Sequence, residues 1–395
     1  MKFSVGTVLL AGTLITAHPA QQQIVEIPDR EDCPSCTIEI HSSVQLRHDG
    51  SIQNPHDVEV DAQGRFWAVF PSSRVMVFGR DGRFLQTVGS TGDGPGEFRG
   101  AYRVASAGTS MLVIDSDGGV SVFGLDFDYL GRTRVPARVY GVSVIEWPES
   151  VLFNGRVNTS GSVGFPLHLV DASEYVAVVS KSFGLDPHGE LRPGQTSMMR
   201  KEIWRADDGI WVADRLQYRV AQWNRDGELL SAVKRSPDWF SGITAALPGL
   251  SNRPPEPSIS GVSGDNAGRL WVFTRVPALD WRQKWIETEE KYGKIPEGAM
   301  EVDPNMVPSS WDLWETMVEV IDPIARRVIV RQQIDEYVID VVADGRIVTY
   351  AESGADFAPI LKILSLRIET ESGLPAHDLT PAFIPLRISV ARFWQ

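Results

Sequence analysis

His56-Asp57, Tyr102-Arg103, Tyr140, Lys201-Glu202, Ser260 and Tyr337 are the side chains of this 395-residue sequence best placed to do chemistry together. Each stands where a recurring apolar strand begins. Two carboxylates, two cations, three phenols and one imidazole suit a polar ligand pocket, or simply a solvated channel lining. Metal chemistry fits them less well. Asp57 and Glu202 are weak candidates for the oxygen shell of a calcium ion, which takes six or more ligands, and Arg103 and Lys201 beside them oppose a divalent cation. Zinc wants three or more nitrogen, sulfur or carboxylate ligands. Of the seven histidines only His56 falls clearly in this set. The expectation is no cofactor, with calcium left open. Nucleophile motifs are missing too. Gly161-Ser162-Val163-Gly164 resembles a nucleophile elbow in composition only, so no catalytic residue is assigned.

The two cysteines, Cys33 and Cys36, stand in a C-x-x-C in a proline-containing linker ahead of a strand-like TIEIHSSVQL. A redox motif calls for a strand before it and a helix opening at its first cysteine. A local structural disulfide is the expectation. A second feature is the insertion at about 277–310, which reads ALDWRQKWIETEEKYGKIPEG at its centre. Asp280 suits an N-cap and Gly293 a stop. Trp281, Trp285 and Ile286 share one face of that helix, to pack on the molecule or to meet a sugar, peptide or protein.

Repetition supplies the elements that must position these groups. Val58 to Gly89, Val104 to Arg134 and Ile203 to Lys234 each contain an apolar strand, a turn, a strand such as RFWAVF or GIWVAD, an alternating strand such as RVMVF or RVAQW, a tight turn and a last strand. Asp81-Gly82, Asp226-Gly227 and Asp344-Gly345 supply turn residues that tolerate positive φ. More degenerate copies run from about Arg138 to Lys181, across the insertion as a fifth, and over 337–369 as a sixth with three strands only. Thr37 to Leu46 is a lone strand that completes the sixth copy as a latch. One such sheet cannot bury both faces, and radial stacking of several does so. The reading is all-β: a six-bladed β-propeller of four-stranded antiparallel blades, closed by an N-terminal latch strand, over residues 37–370.

The ends and the charge place the molecule. Lys2 precedes an apolar run from Phe3 to Ile15 and small residues at Thr16, Ala17 and Ala20, the pattern of a signal peptide over 1–20, with a linker over 21–36. A secreted or periplasmic monomer without a transmembrane segment is expected. The tail 371–395 is not assigned. A net charge of −13 repels phosphate backbones, which excludes nucleic acid as a partner.

The phrase Gly89-Ser90-Thr91-Gly92-Asp93-Gly94-Pro95-Gly96-Glu97-Phe98 resembles the linker between NHL-repeat blades. So does Trp211-Val212-Ala213-Asp214 followed by Tyr218-Arg219-Val220 and the Asp226-Gly227 turn. Over roughly Cys33 to Glu369 the chain resembles exported bacterial six-bladed β-propeller proteins of the NHL-repeat class. Blades three and five lack the glycine-rich linker, and Gln217 replaces the Asn of the NHL phrase. The resemblance implies the fold, and it implies that inner strands begin at the mouth of a central channel. It leaves function open, because this architecture hosts binding modules, lactonases and lyases. The expectation is a non-catalytic binding scaffold for a peptide, glycan or protein. The alternative is a calcium- or zinc-dependent lactonase, esterase or lyase at the channel mouth.

Overall fold

The computed structural model describes residues 23–48, 54–71, 74–146, 149–158, 160–173, 177–184, 200–206, 209–241, 254, 256–292, 313–353 and 358–369. The segment 1–20, the insertion beyond 292 and the tail 371–395 lie outside the described residues. Six antiparallel sheets form the molecule. Their first strands are Asp57–Val60, Ala101–Ala107, Ala137–Glu146, Lys201–Ala206, Ser258–Gly264 and Val338–Val341. Each first strand contacts the first strands of its two neighbours, so the six close a ring around a central channel. This is a six-bladed β-propeller.

The burial pattern explains why these segments are strands and why they stack. Second strands are buried on both faces: Phe66–Phe70 and Gly209–Asp214 show almost no exposure along their length. Each lies between two blades, so neither face can be polar. Fourth strands are outermost and half-exposed, as in Phe84–Val88. Gly82, Gly227 and Gly345 all take positive φ, as the Asp-Gly pairs require. A further turn recurs between first and second strands. Asp61 accepts from the backbone N–H of Gln63 and Arg65, from Arg65 Nε at 2.7 Å and from Trp67 Nε1 at 3.0 Å. Asp265 repeats the same cage with Ala267, Arg269 and Trp271. A carboxylate that accepts four hydrogen bonds, one of them from a cation, is tolerated at full burial.

The N-terminal segment runs as a strap across the outer edge. Gln23–Glu26 adds a parallel strand to blade four. Asp32 and Cys33 donate backbone hydrogen bonds to Val328 and Ile329 of blade five. Thr37–Leu46 then forms the outermost strand of blade six, antiparallel to Ala358–Glu369. Arg47 exchanges backbone hydrogen bonds with Gly82 and Phe84 of blade one. Cys33 and Cys36 form a disulfide within this strap. Under it, the buried Glu319 carboxylate of blade five receives Tyr218 and Arg235 of blade four and Arg331 of blade five, and Asp29 of the strap pairs with both arginines.

The insertion helix spans Trp281–Tyr292, with Asp280 in the N-cap position and its carboxylate 2.8 Å from Lys284 Nζ. Trp285 is buried and Trp281 half-buried, so that edge of the helix is its covered side. Ile286 is 43% exposed, which corrects the expectation that it shares the packed face. Position i+5 lies about 140° around the helix from the first tryptophan, too far for one apolar stripe. Gly293 lies outside the described residues.

Candidate functional site

All first strands begin on one face, and the second strands end there. The insertion leaves blade five at that face, since Pro277 and Trp314 close the pairing of its second and third strands. A cavity of about 150 Å³ runs along the channel from that face. His56, Asp57, Arg103, Tyr140, Lys201 and Glu202 line it, and so do Glu59, Arg200 and Asp340. Tyr102, Ser260 and Tyr337 stand at the same ends of their strands but do not line the cavity. Tyr337 and Ser260 are buried, and the Ser260 hydroxyl donates to the Phe273 carbonyl at 3.3 Å.

Arg103 organises the mouth. Its Nε donates to the Tyr140 carbonyl at 2.7 Å and its Nη1 to the His56 carbonyl, with Asp57 Oδ1 at 3.5 Å. The guanidinium also stacks over the Tyr102 ring at 4.4 Å. One cation therefore ties together the starts of blades one, two and three. The His56 ring packs beside Tyr102 with centroids 5.2 Å apart. Burial lowers its pKa, aided by Arg103 and Arg200, so the imidazole is neutral at physiological pH.

The carboxylates stitch blades together. Asp57 accepts the Val104 N–H of blade two at 2.7 Å, and Asp340 of blade six accepts the Val58 N–H of blade one at 3.1 Å. Asn154 does the same for Lys201 N–H at 2.9 Å, and Thr316 for Val338 N–H at 3.0 Å. Asp57 and Asp340 also hydrogen-bond to each other. Burial raises both pKa values, and the mutual repulsion raises that of Asp340 further. The two carboxyls therefore take up and release protons as one linked pair. Glu59, two residues after Asp57, accepts Val60 N–H at 2.7 Å and Ala343 N–H at 3.1 Å, and burial pushes its pKa up to about 8.

The remaining cations pair in part. Lys201 Nζ lies 2.7 Å from Asp214 Oδ2, and Arg215 Nε 3.3 Å from Glu202 Oε1. Asp57 and Glu202, the two weak metal-ligand candidates, thus each face a guanidinium. Among the described residues no group of three or more His, Cys, Asp or Glu is placed to hold a metal ion. His168 Nδ1 and Ser182 Oγ lie 2.8 Å apart in blade three. The imidazole is fully buried between paired strands, where no substrate reaches it.

Arg200, Arg215, Arg275, Glu59 and Asp340 were not singled out from the sequence. Alternation offered Glu59, because residues i and i+2 of a strand share a face. The arginines stand in a blade-to-blade connection, after a second strand and near the end of another, where the repeat carries no fixed spacing.

A family model described as a 6-bladed beta-propeller, DUF5128, matches residues 51–229. No curated protein matches the chain. Among solved structures, the chain is similar to a Bacteroides fragilis protein named as an exported protein. Identity is 14%, covering 88% of this chain and 100% of that one, with a TM-score of 0.53. It is also similar to the β-propeller domain of Myceliophthora thermophila Cps50 (13% identity, 82% and 99% covered, TM-score 0.39). A Myxococcus xanthus glutaminyl cyclase follows at 11% identity, with 64% and 93% covered and a TM-score of 0.34. No helix among the described residues is long and apolar enough to cross a membrane. The family match and the six closed blades agree that this chain is a six-bladed β-propeller.

Proposed function

We propose that this chain is an exported binding propeller of NHL-like class, and that its ligand site is the channel mouth on the face where the inner strands begin. One observation carries this reading. Polar side chains from five blades meet at an open cavity, and its carboxylates are engaged by backbone N–H groups and guanidiniums rather than left to hold a metal or take a proton from substrate. The apolar run at residues 3–15 and the Cys33–Cys36 disulfide support export. The ligand is a peptide, glycan or protein segment that inserts a polar group into the mouth.

The exposed rim of the site is His56, with the half-buried Tyr102 ring packed beside it, and a ligand entering the cavity would pass both. Glycan and peptide arrays probed with the mature protein, followed by titration of any hit, test the reading. Binding lost in His56→Ala and Tyr102→Ala and retained in Trp281→Ala supports the mouth. The reverse pattern moves the site to the insertion helix and sinks the proposal.

A further inference from the structure

Two guanidiniums near the mouth stand apart from its ion pairs. Lys201 is matched by Asp214, Arg215 by Glu202, and Arg103 by Asp57. Arg200 and Arg275 have no carboxylate within ion-pair distance among the described residues. The Nε atoms of both are buried without a hydrogen-bond partner. They gather with Arg215 around one phenol. Arg275 stacks over the Tyr337 ring at 4.7 Å and over Trp314 at 5.7 Å, while the charges of Arg200 and Arg215 also act on Tyr337. The Arg215 carbonyl accepts the Ile259 N–H of blade five, which fixes that residue at the same face. Half-burying neighbouring guanidiniums with their Nε groups shut off from water costs free energy unless an anion completes the set. A protein with a net charge of −13 has no need of such a cluster for solubility.

We infer that the mouth recognises an oxyanion, a carboxylate or a sulfate or phosphate ester on a small organic ligand, held between Arg200, Arg215 and Arg275 beside the half-buried Trp314 ring. The inference rests on the channel mouth being the binding site. The Nε–Nη edge of a guanidinium is the fork that pairs with such groups in two parallel hydrogen bonds. The Tyr337 and Trp314 faces hold Arg275 in place, and the half-buried Trp314 offers a surface for the uncharged part of the ligand.

Calorimetric titration of the mature chain, at ionic strength held constant with chloride, tests this with sodium D-galacturonate, inorganic sulfate, inorganic phosphate and neutral D-galactose. At least one oxyanion is expected to bind saturably, and galactose is not. Binding of galacturonate alone assigns a carboxylate, and binding of sulfate or phosphate assigns an ester. Arg200→Gln and Arg275→Gln are each expected to weaken binding about tenfold or more. Arg83→Gln removes the same charge from an exposed turn on the opposite face, and is expected to leave binding unchanged. Failure of every oxyanion to bind overturns the inference, and so does equal weakening by Arg83→Gln. If oxyanions fail while a neutral array hit still binds and is lost in Tyr102→Ala, the inference falls and the binding site at the mouth stands.

Discussion

Glu59 makes the stability of this propeller depend on pH in a direction opposite to that of an ordinary surface carboxylate. Its folded pKa, pushed up to about 8 by burial, lies above the 4.5 of an unhindered glutamate. Between these two values the native state holds a proton that the unfolded chain has lost. Stability from this group is full below about 4.5 and drains away as pH rises to about 8. The slope is at most about 1.4 kcal/mol per pH unit, and less here because Glu59 keeps some contact with solvent. Urea titrations at pH 5, 6.5 and 8 should show the decline, and Glu59→Gln should flatten it. An unchanged slope in Glu59→Gln would assign the decline to Asp57 and Asp340, whose raised pKa values have the same sign. The turn cages give a second expectation. Asp265→Ala strands the Arg269 guanidinium and the Trp271 N–H, both of which the carboxylate now holds. The loss should be about 2–4 kcal/mol by urea unfolding, with Asp265→Asn retaining part of it because an amide oxygen still accepts.

Among the elements, the insertion helix separates packing from recognition. Trp285 is 5% exposed, and Trp285→Ala should cost about 3–5 kcal/mol in thermal or urea unfolding. Trp281→Ala, at a half-buried position, should cost about 1 kcal/mol or less. Equal costs would mean that Trp281 is packed as firmly as Trp285. The helix was legible in the sequence from Asp280 and the spacing of the tryptophans, whereas the exposure of Ile286 was hidden because i+5 reads as a neighbour only when the angle is not worked out. Blades were legible for a stronger reason. Buried second strands, polar turns and Asp-Gly pairs repeat, and each copy confirms the others. The site was half legible. Inner-strand starts such as Arg103 and Lys201 follow from the repeat phase. The contact between Asp57 and Asp340 joins the first blade to the sixth, and no local pattern carries a contact across so much chain.

For the whole molecule, the strap decides how the ring holds. A propeller is closed only where its first and last blades meet, and here blade six owes its outer strand to Thr37–Leu46, from the other end of the chain. The strap reaches that place already fastened to blades four and five, through Val25 and Ile27 in one core and Cys36 and Ile38 in another. It then continues to blade one through Arg47. Removing residues 23–36 should therefore leave a folded propeller with an intact sixth blade. Burial of Val25 and Ile27 would be lost, and Asp29 would no longer answer Arg235 and Arg331, at a cost of roughly 3–5 kcal/mol. Removing residues 23–47 should be far worse, because the edge of Ala358–Glu369 is bared and Ile363, Leu364, Leu366 and Ile368 lose their cover. Size-exclusion chromatography and circular dichroism on both truncations check this. A monomeric, cooperatively folded product is expected from the shorter deletion, and aggregation or a molten sixth blade from the longer. If the longer truncation stays monomeric with an unchanged melting profile, ring closure does not depend on the N-terminal strand, and stacking between the remaining strands is enough to hold six blades.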